Sequence, residues 1–172
     1  MRRSLRLVLV LMVTGLVASL AAVIPSFVAT SAPAAAAAGC YAQDCNGKDP
    51  QAWGCDGDAS TQWSSHYPGS YGSTVELRYS PSCGAFWARY SCDDCFPNCG
   101  QPIISLQNGK VKNGVIEVVQ TLERGSSTTC YYWTGMLTAV NRWGRVRVGQ
   151  IYSWPGGSDV TWKPWGGWKF GS

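Results

Sequence analysis

All eight cysteines of this chain fall between residues 40 and 130, and none lies in the first 39 residues. They are Cys40, Cys45, Cys55, Cys83, Cys92, Cys95, Cys99 and Cys130. An even set of cysteines means different things on the two sides of a membrane. In an exported chain it is read as disulfides, in a cytosolic one as metal ligands or redox groups. What precedes the cysteines decides between them. Met1-Arg2-Arg3-Ser4-Leu5-Arg6 is a basic head, Leu7 to Ile24 is an uncharged, mostly apolar run, and Ala34 to Ala38 is a tract of small residues. Basic head, apolar middle and Ala-x-Ala end are the order of a secretory signal peptide. The spacing places cleavage after Ala38.

Two rival readings of the leader are weaker. The apolar run approaches the roughly 17–25 residues that span a bilayer, but no basic stop-transfer cluster follows it and the next charge is Asp44. Lipidation of Cys40 lacks the bulky aliphatic residue expected three positions upstream, and it would leave an odd number of thiols. The expected product is therefore secreted, with no membrane association after cleavage.

Three of the fourteen basic residues belong to the leader, so eleven bases face ten acids in the remainder, a balance of +1. Nothing resembles the dense basic stripe of a nucleic-acid binder, and no nucleic-acid partner is expected.

The segments after the leader lack helical periodicity. Gly, Ser, Thr, Asn and Pro punctuate short runs rich in Val, Ile, Thr and aromatic residues, the composition of strands and turns. The expected fold is all-β, a small disulfide-stapled sandwich or barrel of about six strands following a helical signal peptide. The expected division is signal peptide 1–38, all-β domain 39–151 and Trp/Gly-rich tail 152–172.

The clearest element is a hairpin from Val75–Ser80 and Ala85–Tyr90. Pairing Ser80 with Ala85 puts Val75, Leu77, Tyr79, Phe86, Ala88 and Tyr90 on one face. The other face then sets Glu76 opposite Arg89, an ion pair, and Arg78 opposite Trp87, a cation–π contact. A slip of one residue would spoil both faces. Further strands are expected at Ile103–Leu106, ended by the Asn108-Gly109 turn signal, and at Val115–Leu122. A second hairpin is expected from Thr129–Val140 and Arg145–Tyr152. Residues 40–70 read as a stapled loop.

Cys92, Cys95, Cys99 and Cys130 have the spacing of a zinc knuckle. Export favours disulfides instead, and no metal or cofactor is expected. Eight cysteines allow about 105 pairings. Most bridges are expected within Cys40, Cys45, Cys55 and Cys83 or within the later four, each stabilising by roughly 2–4 kcal/mol.

No catalytic constellation emerges. Asp49, Asp56, Asp58 and Glu76 offer carboxylates for a hydrolase, yet Asp49 precedes Pro50 in a turn, Asp58 suits a cap and Glu76 has Arg89. Asp56 to Ser60 begins like a calcium loop but has Thr61 where that loop needs Gly. His66, the single histidine, reads as lying in an exposed loop, and no Gly-x-Ser-x-Gly elbow is present. Four of the nine tryptophans, Trp154, Trp162, Trp165 and Trp168, crowd the tail. Their rings suit stacking on sugars or folding back over the sheet. With Arg78, Trp87 and Arg89 they are the candidate binding residues, for a cell-wall polysaccharide or an extracellular protein. A hydrolase using paired carboxylates is the alternative.

Several motifs are ordered and long: Cys45-x-Gly47-Lys48-Asp49-Pro50, Gly54-Cys55-x-x-Asp58-Ala59-x-Thr61, and Val75-Glu76-Leu77-Arg78-Tyr79-Ser80-x-x-Cys83-x-Ala85-x-Trp87-Ala88-Arg89. Over residues 40 to 92, and more weakly over Cys130 to Leu137, the chain resembles an uncharacterised family of exported bacterial domains, domain of unknown function 2690. The resemblance implies a secreted domain, or one held outside the membrane behind a helix-turn-helix regulator and one spanning segment. It implies no activity. Cys92, Cys95, Cys99 and the Trp-rich tail look like additions to the family pattern.

Overall fold

The computed structural model describes residues 39–67, 72–94, 100–125 and 130–171. The leader and its cleavage site lie outside the described residues. Among the described residues the architecture is two antiparallel sheets of five strands each, with one short 3-10 turn at Ala42–Cys45. The first sheet contains β1 (Ser60–Tyr67), β2 (Ser73–Ser80), β3 (Ala85–Cys92), β6 (Tyr131–Trp133) and β7 (Leu137–Thr138). The second contains β4 (Pro102–Lys112), β5 (Val115–Gly125), β8 (Arg142–Trp154), β9 (Gly157–Trp162) and β10 (Lys169–Gly171). Among the described residues no helix is long and apolar enough to cross a membrane.

The β2–β3 hairpin has the register that its two-faced pattern dictates. Ser80 pairs with Ala85, Leu77 with Ala88, Glu76 with Arg89 and Arg78 with Trp87. The inward face, Val75, Leu77, Tyr79, Phe86, Ala88 and Tyr90, packs against Ile104, Leu106, Val146 and Val148 of the second sheet. Phe86, fully buried, comes so close to β8 that a Cβ on Gly144 would stand 2.7 Å from its ring. Only glycine admits that approach of the sheets.

The remaining strands depart from the sequence pattern in several places. Among the described residues ten strands form where six were expected. Residues 40–70 are not all loop, because β1 pairs with β2 along its length, and His66 sits exposed on that strand with Nδ1 3.2 Å from Thr74 Oγ1. β4 does not stop at Leu106. It runs through Asn108-Gly109, where a bulge absorbs the irregularity. The reversal comes instead at Asn113-Gly114, with φ of 52° and 79°. Lys112 pairs with Val115 across them, the two-residue primed turn that hairpin twist favours. The expected 129–152 hairpin is absent, since β6 and β7 join the first sheet while β8 pairs with β4 in the second. Asn141, at φ 53°, lies at that change of sheet.

The boundary drawn at residue 152 falls inside β8. Beyond Pro155-Gly156 the chain returns along β8 as β9, bonds Lys163 N to Val148 O and Gly166 N to Val146 O, and finishes as β10.

A second, smaller core covers the outer face of the first sheet. It contains Cys40, Cys45, Cys55, Cys83, Ala85, Trp87 and Met136. Disulfides Cys40–Cys45 and Cys55–Cys83 staple the loop of residues 39–59 over it. That loop is also zipped to the 134–138 segment: Gly47 N donates to Met136 O, Met136 N to Lys48 O, and Thr138 N to Asn46 Oδ1. Both bridges stay within the first cysteine set, as expected. Cys92 and Cys130 are also disulfide-bonded, while Cys95 and Cys99 lie outside the described residues. The sulfur of Cys40 is engaged in its bridge and is not available for a lipid.

Candidate functional site

Where the stapled loop ends short of the sheet edge, a small pocket opens. Pro50, Gln51 and Asp56 come from the loop, Arg78 from β2, Trp87 and Arg89 from β3, and Tyr131 and Trp133 from β6. Alternation along the strands puts these side chains outward, opposite the core-facing set. The cavity volume is about 100 Å³, room for one small polar group and a few waters.

Its polar walls are fixed by two hydrogen-bonded groups, one around Glu76 and one around Asp49. Arg89 Nε donates to Glu76 Oε2 in an ion pair, and its Nη1 donates to the Tyr131 hydroxyl at 3.2 Å. Arg78 does not stack on Trp87 as expected. Its guanidinium turns toward the β1 side and donates to Thr61 Oγ1 at 2.5 Å and to Ala59 O at 2.8 Å. Thr61 in turn donates to Glu76 Oε1 at 2.8 Å. The Trp133 indole donates to Asp49 Oδ2 at 2.9 Å, and Asp49 Oδ1 caps the turn by accepting from Gln51 N and Ala52 N. Tyr131 and Trp133 meet edge to face, their centroids 5.5 Å apart. Trp87 is buried, whereas Tyr131 is 46% exposed and forms the outer lip.

Three carboxylates around this site, Glu76, Asp49 and Asp58, are held in the ionised form. Burial alone would raise the Glu76 carboxyl, but the bonds from Arg89 and Thr61 outweigh it and keep the group below its ordinary value. Burial is likewise outweighed at Asp49, by the Ala52 N–H, the Trp133 indole and the Gln51 N–H. At Asp58 it is outweighed by Ser80 Oγ and by Ser82. The Asp58 carboxylate spans the β2–β3 turn, accepting from Ser80 Oγ at 2.5 Å and Ser82 N at 2.8 Å. The Arg78 guanidinium is lowered by burial and by the neighbouring charge of Arg89.

The other sequence candidates lie on the outer face of the second sheet. There Trp162, Arg147, Trp165, Arg145 and Trp168 form an alternating stack, with guanidinium-to-ring distances of 3.8, 4.3, 4.5 and 4.2 Å in that order. Arg145 is braced from behind by Gln107 Oε1, which accepts from its Nε at 3.0 Å and its Nη2 at 2.8 Å. Arg147 lies 3.8 Å from Glu123. Gly149 faces Trp162 across the pair, and a Cβ there would come within 2.8 Å of that ring. Trp165 therefore has two guanidinium groups against its ring. Trp154 stands apart beside the β8–β9 turn, 53% exposed.

Thus Arg78, Trp87 and Arg89 converge on one pocket, whereas the tail tryptophans go elsewhere. Sequence reasoning missed Tyr131 and Trp133 in the pocket and Arg145 and Arg147 in the stack. Alternation marks Tyr131 and Trp133 as sharing one face of a strand, and Trp-x-x-Trp-x-x-Trp beside Arg-x-Arg was the available signal for the stack.

The family described as protein of unknown function (DUF2690) matches residues 43–143. The chain belongs to that family. The match spans every pocket residue and ends before the Trp–Arg stack is complete, since Arg145, Arg147 and the three stacked tryptophans lie beyond it. No curated protein and no solved structure matches the chain.

Proposed function

We propose that this DUF2690 domain is an exported, non-catalytic binding module, and that its outer-face pocket takes a hydroxyl-rich group of a cell-wall glycan. The observation that carries the reading is the convergence of Arg78, Arg89, Asp56 and Gln51 with the rings of Trp87, Tyr131 and Trp133 around one small cavity. Donors, an acidic acceptor and flat apolar rings together suit a sugar, which presents hydroxyls at its rim and C–H groups on its faces. The pocket is preformed, because Glu76, Thr61 and Asp49 already hold its walls, and preformed walls reduce the ordering cost of binding. Export is supported by the leader sequence and by the disulfides, which persist in oxidising compartments.

The hydrolase reading has less support. A general acid needs a carboxyl raised toward the working pH, and Asp49, Asp58 and Glu76 are all shifted the other way. The stacked tryptophans are also less suited to sugars than the pocket, because the Trp165 ring already carries two guanidinium contacts.

Sedimentation with purified cell wall tests the binding claim. The wild-type protein is expected to pellet with the wall, and Tyr131→Ala to stay largely in solution while keeping its far-UV circular dichroism. Wild-type protein that remains in the supernatant with both peptidoglycan and wall polysaccharide would overturn it.

A further inference from the structure

The four sulfurs beneath the stapled loop are closer together than two disulfides require. Sγ atoms of Cys40, Cys45, Cys55 and Cys83 all lie within 4.8 Å of one another, in a region where each residue is at most 8% exposed. Between the two bridges, Cys40 Sγ and Cys55 Sγ stand 3.9 Å apart. Tetrahedral zinc with Zn–S bonds of about 2.3 Å separates its sulfurs by about 3.8 Å. One inter-bridge distance already has that value, and the bonded pairs have only to open to it. Cys40 and Cys45 also have four residues between them, within the usual spacing of a zinc ligand pair.

The backbone around these cysteines is held without the bridges. Gly39 N donates to Trp53 O, Ala42 N to Cys83 O, Lys48 N to Cys45 O and Cys55 N to Pro50 O. The loop is further tied to Met136 and Thr138. Opening two S–S bonds therefore leaves four thiols facing one point in a small apolar core. We infer that these four cysteines form a second, metal-held state of the domain: on reduction they bind one Zn²⁺ as a tetrathiolate, and the loop keeps its place.

The chemistry balances. Two molecules of a dithiol reductant give four electrons to the two disulfides and become two disulfides themselves. The four cysteine thiols then lose four protons as they bind Zn²⁺, leaving a centre of net charge −2. Because Pro50, Gln51 and Asp56 ride on the same loop, the zinc form keeps that wall of the pocket. The inference does not depend on what the pocket binds. It differs from the zinc knuckle suggested by the sequence, which used Cys92, Cys95, Cys99 and Cys130.

The test uses the full chain, reduced anaerobically with a phosphine and titrated with Zn²⁺ or Co²⁺. Bound metal is measured after gel filtration, and the thiols are then alkylated and mapped by mass spectrometry. The expected result is one equivalent of metal, thiolate-to-cobalt charge-transfer absorption, and protection of Cys40, Cys45, Cys55 and Cys83. Cys55→Ser should weaken binding at least 100-fold, and Cys130→Ser should leave it unchanged. Protection of the later four cysteines instead would overturn the inference. So would a reduced chain that takes up no stoichiometric metal, whether it stays folded or unfolds and is not refolded by zinc.

Discussion

The two described disulfides close loops of very different length, and their contributions to stability should differ accordingly. Cys55–Cys83 spans 28 residues and Cys40–Cys45 spans 5. In the chain-entropy description, a bridge stabilises by restricting the unfolded chain, by an amount that grows with the logarithm of the loop. For these lengths it gives about 3.6 and about 2 kcal/mol at 25 °C, a difference of about 1.5 kcal/mol. Each paired replacement, Cys55→Ala with Cys83→Ala or Cys40→Ala with Cys45→Ala, removes two buried sulfurs from the same small core. The packing losses are therefore similar, and the difference isolates the loop effect. Urea unfolding followed by circular dichroism, with unchanged slopes, gives both free energies. The longer bridge should cost more to remove. Equal losses, or a greater loss from the short bridge, would refute the reasoning and show that local packing in the cluster outweighs the unfolded chain.

Other outcomes follow from single contacts. Trp165→Ala removes two cation–π contacts with Arg145 and Arg147 and should lower stability by about 1–2 kcal/mol before packing losses. The exposed Trp154→Ala should change it by less than about 0.5 kcal/mol, both read from urea midpoints. Gly144→Ala would place a methyl 2.7 Å from the Phe86 ring and should cost about 1–3 kcal/mol by overpacking. The folded-state values of Asp49, Asp58 and Glu76 lie below their ordinary ones. The unfolded chain therefore binds more protons in acid, and stability should be complete above about pH 5 and fall as pH drops through the folded values. Urea midpoints at pH 6 and pH 3 check this, and Asp58→Asn should flatten the dependence.

The parts of the fold legible in the sequence are those where both faces of a strand carry information. In β2 and β3 the apolar face and the Glu76–Arg89 pair select the same register, and that register is observed. β1 escaped notice because its core-facing side carries just Trp63 and Tyr67, with the polar Ser65 between them, and a bulge between Thr61 and Trp63 breaks the alternation. Asn108-Gly109 read as a turn, yet the Asn108 side chain is buried and donates from Nδ2 to Thr138 O at 3.0 Å. A tertiary partner thus turned a turn signal into a bulge. The site was half legible. Arg78, Trp87 and Arg89 stood out because they share one face of a recognisable hairpin, whereas Tyr131 and Trp133 reach them only through β6 pairing with β3. The tail tryptophans stood out by composition, but their partners Arg145 and Arg147 lie on β8, some fifteen or more residues earlier, and the one hint of the meeting is the repeat Trp-x-x-Trp-x-x-Trp set against Arg-x-Arg.

The two aromatic sites can be told apart in one experiment. In a two-dimensional ¹H–¹⁵N spectrum each tryptophan indole N–H gives its own signal, and soluble cell-wall glycan fragments can be titrated into the labelled protein. The pocket account predicts progressive shifts of the Trp87 and Trp133 indoles, with those of Trp162, Trp165 and Trp168 unmoved. Shifts confined to the three stacked tryptophans would contradict it and move the binding surface to the opposite sheet.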